Sequence, residues 1–324
     1  MSEIVILNER EVEELLDVAG CIEAMAEALS SLARGEVYQP LRPIVRPPGE
    51  PTLLGLMPVH RGGARPMYGL KTVCIVPDNP SRGLDSHQGT VTLYDGETGR
   101  TAAVLNAAPI TAIRTAACSA LATRTLARQD ARELAVVGAG HQARAHLRAL
   151  PAVRAFERIR IVSRSRAGAE ALAAQVPGAE AVVTAEEAVR GADVVVTATS
   201  SPEPVVRREW LKPGVHVNAV GSCFPTAREL DSATVAASSF FVDRRESAEH
   251  EAGDYLLALE EGAIGPGHIR AELGEVLIGA KEGRTAPDGI TVYESLGLAV
   301  EDLFAAEYLV RRARETGRGM LLAF

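Results

Sequence analysis

One short stretch, residues 133–143, constrains the fold of this chain more than any other. It reads Glu-Leu-Ala-Val-Val-Gly-Ala-Gly-His-Gln-Ala, an apolar strand followed by a glycine turn and a helix that opens at His141. Gly138 permits the tight turn, and Gly140 lets the backbone approach a pyrophosphate closely. The N–H groups of a helix N-terminus, here at His141 and Gln142, bind phosphate. Because a second apolar strand follows after a helix-sized gap, we predict a βαβ unit that binds a dinucleotide. The alternative is a strand–turn–helix without a ligand.

The residues after that second strand, residues 158–162, indicate which dinucleotide is bound. A unit that binds NAD usually carries Asp or Glu roughly 20 residues past the glycines, where it holds the ribose 2′-OH. This chain has Ser163, Arg164, Ser165 and Arg166 there. Guanidinium and hydroxyl groups bind a 2′-phosphate through charge-assisted hydrogen bonds. We therefore predict NADP(H) as the preferred cofactor and NAD(H) as the alternative; a solvated basic loop is the competing interpretation.

Length and composition limit the remaining functions. The 324 residues suffice for two domains, and 34 basic against 42 acidic residues give a net charge of −8, which argues against nucleic acid as a partner. The four cysteines form no CxxC pair, which argues against a zinc site and fits a reducing cytoplasm. We expect no bound metal. The first residues lack a signal-peptide pattern, and every apolar run is interrupted before about 18 residues, so we expect a cytoplasmic protein without a membrane span.

The order of the predicted elements indicates an α/β fold with two parts. Helical spacing covers 9–34, short β-rich pieces separated by Pro and Gly cover 38–107, and an Ala-rich helix covers 110–128. Apolar strands then alternate with helices, at 134–138, 158–162, 192–197, 215–220 and 239–243. We predict an N-terminal α+β domain with an antiparallel sheet, a Rossmann-type doubly wound nucleotide domain, and a closing helix over 295–314 whose acidic start and basic end match the helix dipole.

Two basic residues interrupt apolar segments ahead of the glycine turn. Lys71 lies in the β-like run 68–76, and Arg114 lies in the apolar helix. A buried charge costs free energy unless it is paired, so each residue either points outward into water or serves a site. The sequence alone leaves both interpretations open.

Seven stretches, taken together and in order, resemble the ornithine cyclodeaminase/μ-crystallin family, and the μ-crystallin-like ketimine reductase branch most. They are 39–45, 86–93, 110–123, 138–143, 218–231, 271–279 and 295–306. The most specific are Ile-Thr-Ala-Ile-Arg-Thr-Ala-Ala, Arg-Glu-Leu-Asp and Ser-Leu-Gly-Leu-Ala-Val-Glu-Asp. The resemblance implies a homodimer built through the N-terminal domain and an active site between the domains. We expect a substrate-binding and dimerisation domain at 1–115 with 300–324, and a dinucleotide domain at 116–299.

The resemblance also implies roles for single residues. Arg42, Lys71 and Arg114 fall on the positions that hold a substrate carboxylate. Arg114 and Thr115 also fall where the family approaches the cofactor phosphates. The remaining cofactor positions are the 2′-phosphate loop and the path along the cofactor: Ser163, Arg164, Ser165, Thr199, Ser200 and Ser222.

One departure from the family pattern bears on the reaction. Cyclodeaminases carry an acidic residue where this chain has Cys223, and a thiol with an ordinary pKa of about 8.5 is a poor base. The sequence therefore favours an NAD(P)H-dependent reductase of α-imino acids, of the ketimine reductase or amino-acid dehydrogenase type, that acts on a small carboxylate-bearing substrate. In this interpretation the arginines hold the carboxylate, and Lys71 polarises it or relays a proton. The alternatives are an ornithine or lysine cyclodeaminase with tightly bound NAD, and a cofactor-gated binding protein.

Overall fold

The fold was established from a computed structural model that describes residues 3–84 and 86–323. Its strands are β1 (Glu3–Leu7), β2 (Val37–Tyr38), β3 (Ile44–Val45), β4 (Leu53–Arg61), β5 (Met67–Ile75), β6 (His87–Asp95), β7 (Thr101–Asn106), β8 (Glu133–Val137), β9 (Arg158–Val162), β10 (Ala179–Ala181), β11 (Val194–Thr197), β12 (His216–Ala219), β13 (Ser238–Val242), β14 (Ile269–Glu272), β15 (Ile290–Glu294) and β16 (Met320–Ala323). Its α-helices are α1 (Glu9–Leu15), α2 (Val18–Ala33), α3 (Ala107–Leu126), α4 (His141–Ala149), α5 (Arg166–Ala173), α6 (Ala185–Val189), α7 (Ser232–Ala236), α8 (Arg245–Glu251), α9 (Gly253–Glu260), α10 (Leu273–Leu277) and α11 (Ala299–Thr316).

The described residues divide into two compact units. The first runs to Arg114 and resumes at Leu298, and the second spans Thr115–Gly297. The first unit holds a sheet in the order β16-β1-β7-β6-β5-β4-β2, with β3 paired to β4. The strands of the segment 38–107 pair antiparallel, as predicted, and β1, which lies outside that segment, joins the sheet in parallel with β7. A parallel pair needs no hairpin, so strands distant in the sequence can meet there.

Helices α2 and α11 pack together in the first unit, and α11 also contacts β4 and β5. Strand β5 alternates, and Gly69, Lys71 and Val73 lie on its buried face. A Cβ at Gly69 would lie 3.0 Å from Val59 Cγ1 and 3.1 Å from Leu303 Cδ1. Glycine at this position therefore allows α11 to approach β5 closely, which brings the first turn of the helix near Lys71.

The closing helix begins later than the sequence predicted. The pattern indicated a start at residue 295, but α11 begins at Ala299, and residues 290–294 form β15. Gly297 has a φ of +80°, outside the helical range. The N–H groups of Leu296 and Gly297 donate to Asp243 Oδ2 at 2.7 Å instead of entering the helix. The side chain of Asp243 thus fixes the extended segment that precedes α11.

The second unit is the predicted doubly wound nucleotide domain. Its sheet has the order β10-β9-β8-β11-β12-β15-β13-β14, and every pair in it is parallel. The inner strands are buried on both faces, as continuous apolar runs predict. The polar or short strands β10, β14 and β15 were not predicted. Among the described residues, no helix is both long and apolar enough to cross a bilayer.

Candidate active site

A buried charged cluster in the first unit joins β5, α3 and the start of α11. Lys71 Nζ lies 3.1 Å from Asp302 Oδ2 and 3.2 Å from Asp302 Oδ1. Arg114 Nε lies 3.1 Å from Asp302 Oδ1, and Arg114 Nη1 lies 2.7 Å from Glu301 Oε2. All four side chains are at most 4 % exposed. Asp302 therefore links a lysine and an arginine that are distant in the sequence.

The cluster resolves the two interpretations that the sequence left open. The outward-facing alternative is wrong for Lys71, which points into the unit, and the water-exposed alternative is wrong for Arg114. Burying a cation is costly unless an anion and hydrogen bonds compensate it. Glu301 and Asp302 provide this compensation, and with them the cluster holds two positive and two negative groups.

The lysine of this cluster has an unusual proton affinity. Burial lowers the pKa of Lys71 to about 8; the charge of Asp302 opposes this shift, and the positive charges of Arg114 and Arg42 add to it. A lysine with such a pKa is mostly charged at neutral pH and can release its proton readily. This is the property that a general acid needs near neutral pH.

The segment that carries Arg42 is tied to the same helix. Gln39 is buried, and its Oε1 accepts a hydrogen bond of 2.9 Å from Val300 N at the start of α11. Arg42 is half-buried and close enough for its charge to act on Lys71. The first unit thus brings Arg42, Lys71 and Arg114 into one region, where sequence resemblance expected a carboxylate to bind.

The sequence interpretation did not assign Glu301 and Asp302. It read the acidic start of the last helix as a complement to the helix dipole, and it counted Val-Glu-Asp only as part of a specific family motif. The sequence does contain a signal for these partners. The chain that carries this acidic motif also has two basic residues, Lys71 and Arg114, inside apolar segments. A buried Lys and a buried Arg require anionic partners, and α11 is the element packed against β5.

The glycine turn of the second unit has the geometry of a pyrophosphate site. Gly138 has a φ of +125°, and a Cβ there would lie 2.4 Å from the carbonyl oxygen of Ala198. Gly140 precedes α4, no side chain caps that helix, and a Cβ on Gly140 would meet only open space. Ala143 is fully buried, as close packing of helix and strand requires. His141 is exposed and Gln142 half-buried in the first turn, and these residues fit a dinucleotide phosphate.

The loop after β9 presents two exposed guanidinium groups, Arg164 and Arg166, of which Arg166 is paired with a carboxylate. Ser163 Oγ donates to the carbonyl oxygen of Ser165 at 2.7 Å, and Ser165 Oγ accepts from Gly168 N at 3.1 Å and caps α5. Arg166 forms a 2.8 Å ion pair with Glu170. Arg164 is exposed at the tip of the loop. The two serines thus shape the loop, and Arg164 supplies its positive charge.

The other positions that the resemblance assigned to the cofactor path, Thr199, Ser200 and Ser222, lie just after the ends of β11 and β12 in the second unit. Thr199 donates to Glu229 Oε1 at 2.7 Å through both its N–H and its hydroxyl, and the Ser222 hydroxyl donates to Glu294. Ser200 is exposed. The hydroxyls of Thr199 and Ser222 are therefore already engaged by buried carboxyl groups that the sequence interpretation did not assign. Thr115, on α3, is buried.

A thiol lies at the position where the sequence interpretation expected an acidic residue in cyclodeaminases. Cys223 is half-buried, and its Sγ donates to the carbonyl oxygens of Val220 at 3.2 Å and Ser295 at 3.9 Å. The thiol thus donates to two backbone carbonyl groups. Among the described residues, no group of three or more His, Cys, Asp or Glu side chains could hold a metal ion.

Comparisons with known proteins show the family of this chain. The model of the ornithine cyclodeaminase/mu-crystallin family matches residues 2–317. The chain is 39 % identical to the ketimine reductase mu-crystallin of Mus musculus, over 93 % of this chain and 95 % of that protein. It superimposes with a TM-score of 0.94 on the Δ1-pyrroline-2-carboxylate reductase of Thermococcus litoralis, solved with NADH and L-proline, at 34 % identity and over 98 % and 99 % of the two chains. An archaeal alanine dehydrogenase dimer with bound NAD gives a TM-score of 0.92 at 34 % identity, over 99 % of each chain. The chain therefore belongs to the ornithine cyclodeaminase/mu-crystallin family.

Proposed function

We propose that this protein is an NAD(P)H-dependent reductase of α-imino acids, which adds a hydride and a proton to a carbon–nitrogen double bond. The broad class is that of the NAD(P)-dependent oxidoreductases that act on C–N bonds, as in the relatives above. The observation that carries the proposal is the buried Lys71–Asp302 pair beside Arg114 and Arg42. It combines a proton donor with positive charge for a carboxylate, and an α-imino acid needs both.

The arginines provide the binding part of the mechanism. Arg42 and Arg114 attract the substrate carboxylate, and Glu301 and Asp302 hold the Arg114 guanidinium in one orientation. A carboxylate held by oriented donors fixes the position of the adjacent imine carbon. When bound, the nicotinamide supplies the hydride that this carbon receives.

Lys71 provides the proton. As the C=N bond takes up hydride at carbon, an N–H bond forms at nitrogen and the Lys71 ammonium becomes a neutral amine. Asp302 holds Nζ in place, and solvent returns the proton to the lysine after product leaves. Since burial lowers the pKa of Lys71 to about 8, this proton is released more easily than from an ordinary lysine.

We propose NADP(H) as the preferred cofactor on the basis of the exposed Arg164 and the absence of a carboxylate in the described loop 163–166. The solved relatives named above contain NADH and NAD. The proposed preference for NADP(H) therefore rests on the loop sequence of this chain. We further propose a cytoplasmic homodimer built through the first unit, with the functional domains at 1–115 with 300–324 and at 116–299. The solved alanine dehydrogenase is a dimer.

Turnover assays test the reaction. Cyclic imines with a carboxylate, and 2-oxo acids supplied with an amine, should oxidise one NADPH for each amine formed. A cyclodeaminase would instead release ammonia from ornithine or lysine with catalytic NAD and no net change in cofactor. A binding protein would give neither signal. The Lys281→Met variant changes an exposed lysine and is the matched control for Lys71→Met.

A further inference from the structure

Four buried carboxyl groups lie at the carboxyl ends of strands in the second unit. They are Glu229, Asp243, Asp254 and Glu294, each at most 1 % exposed. Glu294 is the last residue of β15 and pairs with Ala219 at the end of β12. Ligands of doubly wound sheets bind at this edge. The pyrophosphate turn follows β8, and the Arg164 loop follows β9 on one side of it. Strands β11, β12 and β15 lie on the other side, so Glu294 lies towards the nicotinamide half of the site.

The four groups differ in the hydrogen bonds that stabilise a negative charge. Glu229 accepts five, from the backbone or hydroxyls of Thr197, Thr199, Val220 and Gly221. Asp243 accepts three from backbone N–H groups, and Asp254 accepts two. Glu294 accepts one, from the Ser222 hydroxyl. Glu294 is therefore the group least supported as an anion.

Two oxygen atoms of the cluster have no hydrogen-bond partner among the described residues. They are Oε2 of Glu294 and Oδ2 of Asp254, and both are inaccessible to solvent. The groups that act most strongly on Glu294 are Asp254, Ser222, Glu229 and Asp243, so three of the four are acids. Arg228, whose charge acts on Asp254, pairs with the exposed Glu261 at 2.5 Å. An unpartnered carboxylate oxygen in this setting is costly, and a bound proton removes the cost.

We propose that Glu294 carries a proton at neutral pH, and that this neutral acid positions the Ser222 hydroxyl and limits the negative charge at the nicotinamide end of the dinucleotide site. Burial and the neighbouring acids raise the pKa of Glu294 well above its ordinary value. The same causes raise the pKa of Asp254 to about 7. Glu294 is a positioning residue, because it acts through Ser222 and through its charge.

The charge of Glu294 has a consequence for the cofactor. Oxidised nicotinamide carries a positive charge that reduced nicotinamide lacks, so an ionised Glu294 would favour the oxidised form. A protonated Glu294 removes this preference for the oxidised form, which suits an imine reductase because it uses the reduced form. This consequence rests on the proposed function; the protonation of Glu294 does not.

Infrared spectroscopy tests the protonation without any cofactor. At neutral pH the wild type should show the carbonyl stretch of buried carboxylic acids, to which Asp254 also contributes because its pKa is about 7. Glu294→Gln should lose the part of this band that belongs to Glu294, and Asp254→Asn should keep that part. Persistence of the whole band in Glu294→Gln, or its loss only in Asp254→Asn, would overturn the assignment.

Thermal unfolding gives a second readout of the same proton. The pKa of Glu294 is raised in the folded state above its ordinary value of 4.5, so its stabilising contribution is full below that ordinary value and is lost as pH rises through the folded pKa. The Tm of Glu294→Gln relative to wild type should therefore increase with pH across this window. A constant difference would contradict the proposal.

Fluorescence titrations with NADPH and NADP+ test the effect on the cofactor. As pH rises, wild type should bind NADP+ progressively better relative to NADPH, and the Glu294→Gln ratio should follow this change less. Equal slopes in the two proteins would overturn the proposed control of charge. Failure of both proteins to bind either nucleotide would count against the proposed function, and the infrared result would be unaffected.

Discussion

Lys71 Nζ lies 3.1 Å from Asp302 Oδ2, although the two residues are 231 positions apart in the sequence. Both side chains are buried, since Lys71 is 3 % exposed and Asp302 is 2 % exposed. Asp302 also contacts Arg114 Nε at 3.1 Å. Asp302 therefore affects the pKa of Lys71 and also orients the guanidinium of Arg114.

The pH dependence of imine reduction should report this pair. In the proposed mechanism the acid is the charged form of Lys71, whose pKa is lowered to about 8, so kcat/KM should fall as pH rises through about 8. The charge of Asp302 raises the pKa of Lys71, and Asp302→Asn should therefore move the falling limb to lower pH. Initial rates over a pH series with one substrate would measure the falling limb of kcat/KM in the wild type and in Asp302→Asn. An unshifted limb in Asp302→Asn would contradict the coupling.

Removal of the amino group should affect the chemical step most. Lys71→Met keeps the length of the side chain and removes the proton donor, and a general acid typically contributes roughly a hundred- to ten-thousandfold. We expect kcat to fall within that range while NADPH still binds. Steady-state kinetics and a cofactor titration would separate the two effects. Lys281→Met should behave as wild type, and an equal loss there would point to a nonspecific cause.

Binding of the substrate through its carboxylate should depend on Arg42. Removal of one charge-assisted contact costs about 1.5–3 kcal/mol, so Arg42→Ala should raise KM roughly ten- to a hundredfold with a smaller change in kcat. Arg46 is exposed in the same segment, and Arg46→Ala is the matched control. Arg114→Ala should be more severe, because it removes the buried cation that both Glu301 and Asp302 contact. Equal turnover of a substrate analogue that lacks the carboxylate would be incompatible with this role.

Arg164 should determine the preference for NADPH over NADH. Arg164→Ala should reduce the ratio of kcat/KM for NADPH to that for NADH by roughly ten- to a hundredfold, the value of one charge-assisted contact. Arg166 pairs with Glu170 and supplies the control, since Arg166→Ala should change the ratio much less. A wild-type preference for NADH would refute the assignment.

Cys223 should separate reduction from cyclodeamination. The thiol donates to backbone carbonyls and is no carboxylate base, so the wild type should release no ammonia from ornithine or lysine with catalytic NAD. Cys223→Asp should at most introduce a trace of that activity, because the loop around it must also fit. Ornithine-dependent ammonia from the wild type, without net NADPH oxidation, would favour the cyclodeaminase.

The sequence predicted the dinucleotide unit well because its signals are local. A buried strand, Gly138 with its positive φ and Gly140 at the helix start are consecutive in the chain, and each constrains its own backbone. Strand β15 was missed because Thr291 and Glu294 make it resemble a polar segment. Its burial depends on neighbours in the sheet that periodicity does not reveal.

The active-site cluster was predicted only in part for the same reason. Lys71 and Arg114 are visible as charges in apolar runs, whereas the role of Asp302 depends on where α11 packs. Acidic residues at the start of a helix are common on surfaces as well, where they complement the dipole. Only the tertiary structure shows whether such an acidic residue lies on the surface or pairs with a buried cation.

The position of β1 in the first sheet has a consequence for biosynthesis. Strand β1 lies between β7 and β16, and α11 and β16 emerge from the ribosome only after the second unit. Until then the nascent first unit exposes the edge of β1 and lacks the acidic partners of Lys71 and Arg114. The whole second unit, residues 115–297, is synthesised before those partners and can complete its own parallel sheet first. We therefore expect a truncation before residue 298 to leave the second unit folded and the first unit prone to aggregation.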